Sequence, residues 1–144
     1  AKASLANLAS DEVVITADTV VLLDDEVLGK PETREEAIQT LTKLSGRSHE
    51  VVTGVCIAER DGKMLAFDDV AIVTFRDLTK MEIEYYVQNF EPYDKAGSYG
   101  IQDWIGLSGV ERLEGSYFTV MGLPTSKVYE ALFNQFGIKL SPSQ

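Results

Sequence analysis

The chain has 144 residues, 44% of them hydrophobic and 25% charged, which predicts a single compact domain with one hydrophobic core. Its 13 Lys and Arg residues against 23 Asp and Glu residues give a net charge of −10, which excludes a protein that wraps a nucleic acid polymer by neutralising phosphates. No apolar run is long enough to span a membrane and no signal peptide pattern is present, so we expect a cytoplasmic protein. The lone cysteine, Cys56, excludes an internal disulfide and a cluster of thiolate ligands.

The first informative segment is a β-branched run over residues 13–23, which predicts a buried strand. Asp18 and Thr19 interrupt its apolar pattern, and we expect the carboxylate to lie at a strand end. Buried strands rarely keep an acid without a use for it, so Asp18 is a candidate for chemistry. The alternative is a structural carboxylate held by backbone amides.

A lysine on a glycine turn follows this strand, after a polar turn at residues 24–26. Lys30 stands between Gly29 and Pro31, so its backbone is restrained on one side and a ligand can approach closely on the other. An ammonium group at such a turn suits phosphate oxygens, and the alternative is a solvated turn lysine. The segment lacks the glycine spacing of a P-loop.

Two helices are predicted from capping boxes, in which a threonine and a glutamate three residues later satisfy each other's backbone amides. The first begins at Thr33 and is ended by Gly46 in a left-handed conformation. The second begins at Thr79 and stops before Pro92.

Between these helices, residues 49–59 and 64–75 are β-branched runs that predict a long hairpin around the turn 60–63. Residues 101–115 combine glycines with apolar anchors and are predicted only as mixed structure, and a last helix follows Gly122. Helices that alternate with at least one hairpin favour an α/β fold with a mixed sheet flanked by helices over a doubly wound parallel sheet.

Two polar residues follow the first predicted helix. His49 is the only histidine, which leaves no second imidazole for a multi-histidine metal site. A lone histidine is more often a structural hydrogen-bond partner than a catalyst, and we favour that role. Arg47 is accounted for as a cation at a helix C-terminus.

The loop over residues 93–102 crowds small residues, aromatic residues and charges into one stretch, a make-up common in ligand-binding loops. Lys95 supplies a cation there, and Gln102 supplies both a donor and an acceptor that could read the edge of a base. The alternative is that the glycines only shape a tight turn.

Five segments stand in fixed order over almost the whole chain: Ala17-Asp18-Thr19-Val20-Val21; Leu28-Gly29-Lys30-Pro31; Leu44-Ser45-Gly46-Arg47-Ser48-His49-Glu50-Val51 with Thr53-Gly54-Val55; Asp94-Lys95-Ala96-Gly97-Ser98-Tyr99-Gly100-Ile101-Gln102; and Gly115-Ser116-Tyr117 with Val120-Met121-Gly122-Leu123-Pro124. Together they resemble the Maf family, whose members are known as nucleoside triphosphate pyrophosphatases. The forms Ala-Asp-Thr and Gly-Ile-Gln within them resemble the branch of the family that acts on dTTP and UTP.

This resemblance implies an inosine-triphosphatase-like fold with two lobes around a cleft, a divalent metal such as Mg²⁺, and a homodimer. It implies hydrolysis of a nucleoside triphosphate to the monophosphate and pyrophosphate. The family's opening strand and its Ser-x-Ser-Pro-Arg-Arg turn do not occur in these 144 residues. The resemblance therefore implies an N-terminally truncated domain, from residue 1 to 144, that lacks its first strand and helix.

The resemblance also implies roles for individual residues. Asp18 corresponds to the family's acidic active-site residue, which we expect to orient and deprotonate the attacking water, directly or through the metal. Thr19 and Gln102 correspond to positions tied to base choice. The positions that match phosphate-binding lysines are Lys2, Lys30 and Lys95.

Two alternatives remain open on the sequence. A nucleotide-binding or cell-division-regulating module without turnover is suggested by the missing arginine turn and by the family's association with septum formation. An aspartyl-phosphate phosphatase is a weaker interpretation, because Val20 occupies the position where such a motif carries its second acid.

Overall fold

The structure is a computed structural model that describes residues 12–60 and 62–140, and it has an antiparallel sheet flanked by helices. Its five strands lie in the order β2-β1-β3-β4-β5, and all four pairings between them are antiparallel. The predicted α/β class is confirmed. The strands are β1 (Val13–Leu23), β2 (Glu26–Leu28), β3 (Ser48–Glu59), β4 (Met64–Phe75) and β5 (Val110–Glu114).

Within the described residues, three α-helices and two short 3₁₀ turns lie between these strands, and two further α-helices follow β5. Across the described residues, no helix has both the length and the apolar character needed to cross a lipid bilayer. The 3₁₀ turns are Pro92–Asp94 and Ala96–Ser98. The helices are α1 (Arg34–Leu44), α2 (Lys80–Phe90), α3 (Trp104–Gly109), α4 (Tyr117–Met121) and α5 (Thr125–Asn134).

The predicted helix starts are found, with one difference at α1. At α2 both capping bonds form, from the Glu82 amide to the Thr79 hydroxyl at 3.1 Å and from the Thr79 amide to the Glu82 carboxylate at 2.8 Å. At α1 the Thr33 hydroxyl accepts from the Glu36 amide, but the Glu36 carboxylate accepts from the amide of Glu32 instead. The reciprocal bond therefore moves one residue upstream.

The hydrophobic core lies on one face of the sheet, beneath α1 and α2. Because strand side chains alternate between faces, every second residue of β3 from Val51 to Ile57 is buried. Phe75 and Tyr86 are the largest buried side chains of this core. A smaller cluster forms where Val55 and Ile57 meet the buried residues of α5, Val128 and Ala131.

The structure differs from the sequence prediction along β1, at the polar turn that follows it, and beyond residue 100. Strand β1 is not buried throughout, because Val21 and Leu23 are its only buried residues. The polar turn before Lys30 is tighter than predicted, since Asp24 and Asp25 adopt positive φ angles of 49° and 67° and Glu26 already belongs to β2. Helix α4 was not predicted, and the segment left as mixed structure divides into α3 and β5.

Candidate functional site

A cleft of about 330 Å³ opens beside β1 and gathers residues that are far apart in the sequence. Five of the six predicted site residues line it: Asp18, Thr19, Lys30, Lys95 and Gln102. The sixth, Lys2, lies outside the described residues. The other lining residues are Ala17, Val21, Val51, Asp94, Ala96, Tyr99, Gly100, Val120, Met121 and Gly122.

Asp18 does not lie at a strand end as expected, but in the middle of β1, opposite Gly54 of β3. Strand β2 pairs only with residues 21–23 of β1, so the earlier part of β1 forms an edge among the described strands. Asp18 is exposed there, and its Oδ1 accepts a hydrogen bond from the Thr19 amide at 3.1 Å. It borders the cleft and also a second hollow of about 770 Å³ that includes Asp68. An edge position explains how one side chain meets two hollows.

Lys30 reaches the cleft through the β1–β2 hairpin. Leu28 pairs with Val21, and an antiparallel chain that continues past Leu28 runs back along β1 towards Thr19. The carbonyl of Gly29 accepts a hydrogen bond from the Gly97 amide at 3.2 Å. The glycine turn is thereby tied to the loop that carries Lys95.

The loop from residue 92 to 103 is held by a buried tyrosine of α2. The hydroxyl of Tyr86 donates to the Asp103 carboxylate at 2.7 Å and accepts from the Gly100 amide at 3.1 Å. Burial raises the pKa of Tyr86 well above its ordinary value, so the phenol keeps its proton. Gly97 has a φ of 69°, and a Cβ at this position would lie 2.9 Å from a methyl group of Val21. Glycine is required here for both backbone conformation and space.

Lys95 is the more restrained of the two cleft lysines. Its aliphatic stem packs over Gly100, where an added Cβ would lie 3.0 Å from the Lys95 Cε. Its ammonium lies 3.7 Å from the Asp94 carboxylate, and only 29% of the side chain is exposed. Lys30 is exposed and has no ion pair within the described part of the chain. Lys30 is therefore the cation less compensated by protein groups.

Beneath the cleft, a line of hydroxyl groups leads from Thr19 into the protein. The Thr19 and Thr53 hydroxyl oxygens are 2.8 Å apart, and the Thr53 hydroxyl donates to the backbone carbonyl of Thr119 at 2.8 Å. The Thr119 hydroxyl donates to the Asp69 carboxylate at 2.6 Å, and Lys127 lies 2.6 Å from the other carboxylate oxygen. Partial burial opposes ionisation of Asp69, but the hydrogen bonds from Lys127 and Thr119 outweigh it and lower the pKa of this carboxyl.

His49 lies in the core, as the structural interpretation requires. Its Nε2 is 2.6 Å from the hydroxyl of Tyr99, a lining residue of the cleft, and its ring stacks on Phe75 with centroids 5.6 Å apart. Burial lowers the pKa of His49 to about 4, so the ring is neutral at pH 7. Its hydrogen bond fixes Tyr99, and Tyr99 shapes the cleft.

Within residues 12–60 and 62–140, no group of three or more His, Cys, Asp or Glu side chains could hold a metal ion by protein ligands alone. The cleft nevertheless contains the exposed Asp18 carboxylate. One carboxylate completed by phosphate oxygens and water is a common donor set for Mg²⁺.

Sequence reasoning did not identify the residues that support the site, namely Thr53, Asp69, Tyr86 and Thr119. Thr53 had a signal, because it is a hydroxyl residue in a β-branched run, on the same face of the strand as the apolar residues Val51, Val55 and Ile57. Tyr86 looks like an ordinary helix residue in the sequence, and Thr119 lies in a segment for which the sequence predicted no helix. Their roles depend on contacts with residues 14 to 66 positions away.

Comparison with known proteins gives one consistent result. The family model described as Maf-like protein matches residues 1–135, which confirms the resemblance found in the motifs. A protein of Porphyromonas gingivalis named dTTP/UTP pyrophosphatase is 54% identical over 120 residues, which cover 83% of this chain and 60% of the relative. Proteins with the same name in Phocaeicola vulgatus and Christiangramia forsetii are 52% and 47% identical over 85% and 89% of this chain, and 63% and 65% of the relatives. The chain thus spans less than two thirds of the length of these curated relatives.

Proposed function

This chain belongs to the Maf-like protein family, and we propose that it acts as a nucleoside triphosphate pyrophosphatase on dTTP and UTP. The observation that carries the proposal is the content of one cleft: an exposed carboxylate, two ammonium groups and two hydrogen-bonding side chains. The names of the relatives support the choice of dTTP and UTP.

The proposed reaction gives each group in the cleft a task. Asp18 accepts a proton from water, whose oxygen attacks the α-phosphorus of the nucleotide. The bond from the α-phosphorus to the bridging oxygen breaks, and its electron pair leaves with pyrophosphate. Lys30 and Lys95 offset negative charge on the leaving group, and Lys2, outside the described residues, is proposed for the same task. Thr19 and Gln102 hold the base.

We also propose a divalent cation, Mg²⁺, held by Asp18. When bound, it would neutralise charge on the triphosphate and make a bound water more acidic. The support is chemical, since Mg²⁺ is usually held by one or two carboxylates together with the phosphates of the substrate. Removal of divalent cations with EDTA should abolish turnover, and Mg²⁺ should restore it.

The remaining features of the proposal rest on the resemblance or on the length and composition of the chain. They are a homodimer, a cytoplasmic location and a single nucleotide-binding domain. Light scattering coupled to size-exclusion chromatography tests the dimer, which would have twice the chain mass, and cell fractionation tests the location.

The experiment that tests the activity is pyrophosphate release from dTTP and UTP, measured on the protein expressed from its own reading frame. We expect release that saturates with substrate and that is nearly lost in Asp18→Asn. Calorimetry with the same nucleotides separates an enzyme from a binding module. Binding without pyrophosphate would contradict the proposed activity and favour the module.

A further inference from the structure

We propose that Thr53 is a positioning residue that fixes the direction of the Thr19 hydroxyl, so that Thr19 offers the cleft only a hydrogen-bond acceptor. In this way Thr53 selects thymine or uracil over cytosine. The inference rests on the proposed function, because it concerns which base the cleft accepts. It assigns a role to a side chain that itself lies beneath the cleft wall.

The direction follows from counting protons along the hydroxyl line. The backbone carbonyl of Thr119 can only accept, so the 2.8 Å contact from Thr53 uses the one proton of the Thr53 hydroxyl. The 2.8 Å contact between Thr53 and Thr19 must then use the Thr19 proton. The Thr19 oxygen then has two lone pairs and no proton left to donate. No other hydrogen bond of this hydroxyl is found among the described residues.

Reversal of the direction of these hydrogen bonds is unfavourable. Thr53 and Thr119 have no exposed surface, so water cannot replace a lost partner. If Thr53 turned its proton towards Thr19, the Thr53 oxygen would face the Thr119 carbonyl at 2.8 Å with no proton between them. Two buried acceptors that face each other without a proton cost free energy, because neither has a hydrogen-bond donor. The register holds the pair in place, since Thr19, Thr53 and Asp69 are directly opposite one another on β1, β3 and β4.

The end of the hydroxyl line that lies away from the cleft is also fixed. The Thr119 hydroxyl donates to Asp69, whose lowered pKa keeps it ionised at pH 7 and therefore an acceptor only. Thr119 also belongs to α4, and its carbonyl is the group that Thr53 binds. The carboxylate thus helps to hold the helix turn whose carbonyl orients Thr53.

An acceptor in the cleft distinguishes the pyrimidines by elementary chemistry. Thymine and uracil carry N–H at ring position 3, whereas the N3 atom of cytosine is an acceptor. A fixed acceptor opposite N3 accepts a hydrogen bond from thymine or uracil. With cytosine, the same acceptor would face a second acceptor, which is unfavourable. Gln102 can present either its carbonyl or its amide, so it adapts to both kinds of edge and does not discriminate by itself.

Thr53→Val tests the inference, because valine has nearly the same shape and no hydroxyl. The Thr19 proton is then released and can be donated to cytosine N3. We expect the ratio of kcat/KM for dTTP to that for dCTP to fall about tenfold, mainly because kcat/KM for dCTP rises. Thr53→Ser should restore the wild-type ratio. An unchanged ratio in a folded Thr53→Val protein would overturn the inference.

A matched control is available on the same strands. The hydroxyls of Ser48 and Thr74 are 2.6 Å apart across β3 and β4, and neither residue lines the cleft. Thr74→Val removes a comparable cross-strand bond, so the base ratio should not change. A fall in the ratio equal to that of Thr53→Val would mean a general effect of the sheet and would overturn the inference.

Binding measurements separate this inference from the proposed activity. Calorimetry with the α,β-imido analogues of dUTP and dCTP needs no turnover. If wild-type protein releases no pyrophosphate but prefers the uracil analogue, and Thr53→Val loses that preference, the activity fails and the inference stands. If wild-type protein has no preference in either assay, the inference fails. Should the valine variant not fold, neutron diffraction decides, because a Thr53 deuteron directed at Thr19 would contradict the proposed direction.

Discussion

The rim and the floor of the cleft differ in how much the protein itself engages their polar groups. On the rim, Asp18, Lys30 and Gln102 are exposed. On the floor, Thr53 and His49 are buried and bonded to the groups that shape the cleft. The difference indicates a division of labour in which the rim meets substrate and the floor sets positions. Rim substitutions should change the rate of the reaction and leave the free energy of unfolding unchanged. Floor substitutions should change the free energy of unfolding or the selectivity for the base.

The largest expected effect is on the rim. Asp18→Asn should lower pyrophosphate release about 10²- to 10⁴-fold, the range that a general base contributes. Its free energy of unfolding should stay within about 0.5 kcal/mol of wild type, because the side chain is exposed. Stopped assays of pyrophosphate and urea unfolding measure the two quantities. Asp68→Asn, on the second hollow that Asp18 also borders, is the control and should keep wild-type turnover. Equal losses in both variants would contradict a specific role for Asp18.

On the floor, the largest expected effect is a pH dependence of stability. His49 has a pKa of about 4 when folded against 6.5 when unfolded, so the unfolded state binds the extra proton first as pH falls. Stability should therefore be complete above pH 6.5 and decline between pH 6.5 and about 4, by roughly 3 kcal/mol for a shift of this size. Urea unfolding at several pH values measures the decline, and His49→Gln should lack most of it. A wild-type profile that is flat over this interval would show that His49 is not buried neutral.

Gly97 tests whether the rim depends on the packing below it. Gly97→Ala places a Cβ 2.9 Å from a Val21 methyl at a φ of 69°, which should destabilise the protein by about 1–3 kcal/mol. The displaced loop carries Lys95, so KM for dTTP should rise more than kcat falls. Gly29→Ala is the control for stability, because its Cβ would meet no atom within 4 Å. A loss as large in Gly29→Ala as in Gly97→Ala would contradict the steric explanation.

The rim could be predicted from the sequence, and the floor largely could not. Asp18, Thr19, Lys30 and Gln102 belong to contiguous motifs whose residue types suggest their chemistry. The predicted position of Asp18 at a strand end was wrong. The apolar run looks buried in the sequence, but among the described strands the short β2 leaves most of β1 at a sheet edge. The contact of Thr53 with Thr119 joins residues 66 positions apart, and it exists because α4 lies over the sheet. A local pattern cannot contain that information.

The smallest expected effect lies where the floor reaches the surface, at the ion pair of Lys127 and Asp69. The Lys127 side chain is 53% exposed, so Lys127→Met should cost only about 0.5 kcal/mol at pH 7. Asp69 has a lowered pKa, so this contribution is present above its ordinary value of 3.8 and is lost as pH falls below it. Urea unfolding at pH 7 and pH 3 should show the difference between wild type and variant shrinking. Lys80→Met, which breaks a more exposed pair with Glu84, should show a still smaller effect. A difference that persists unchanged at pH 3 would mean that Lys127 stabilises through its aliphatic stem.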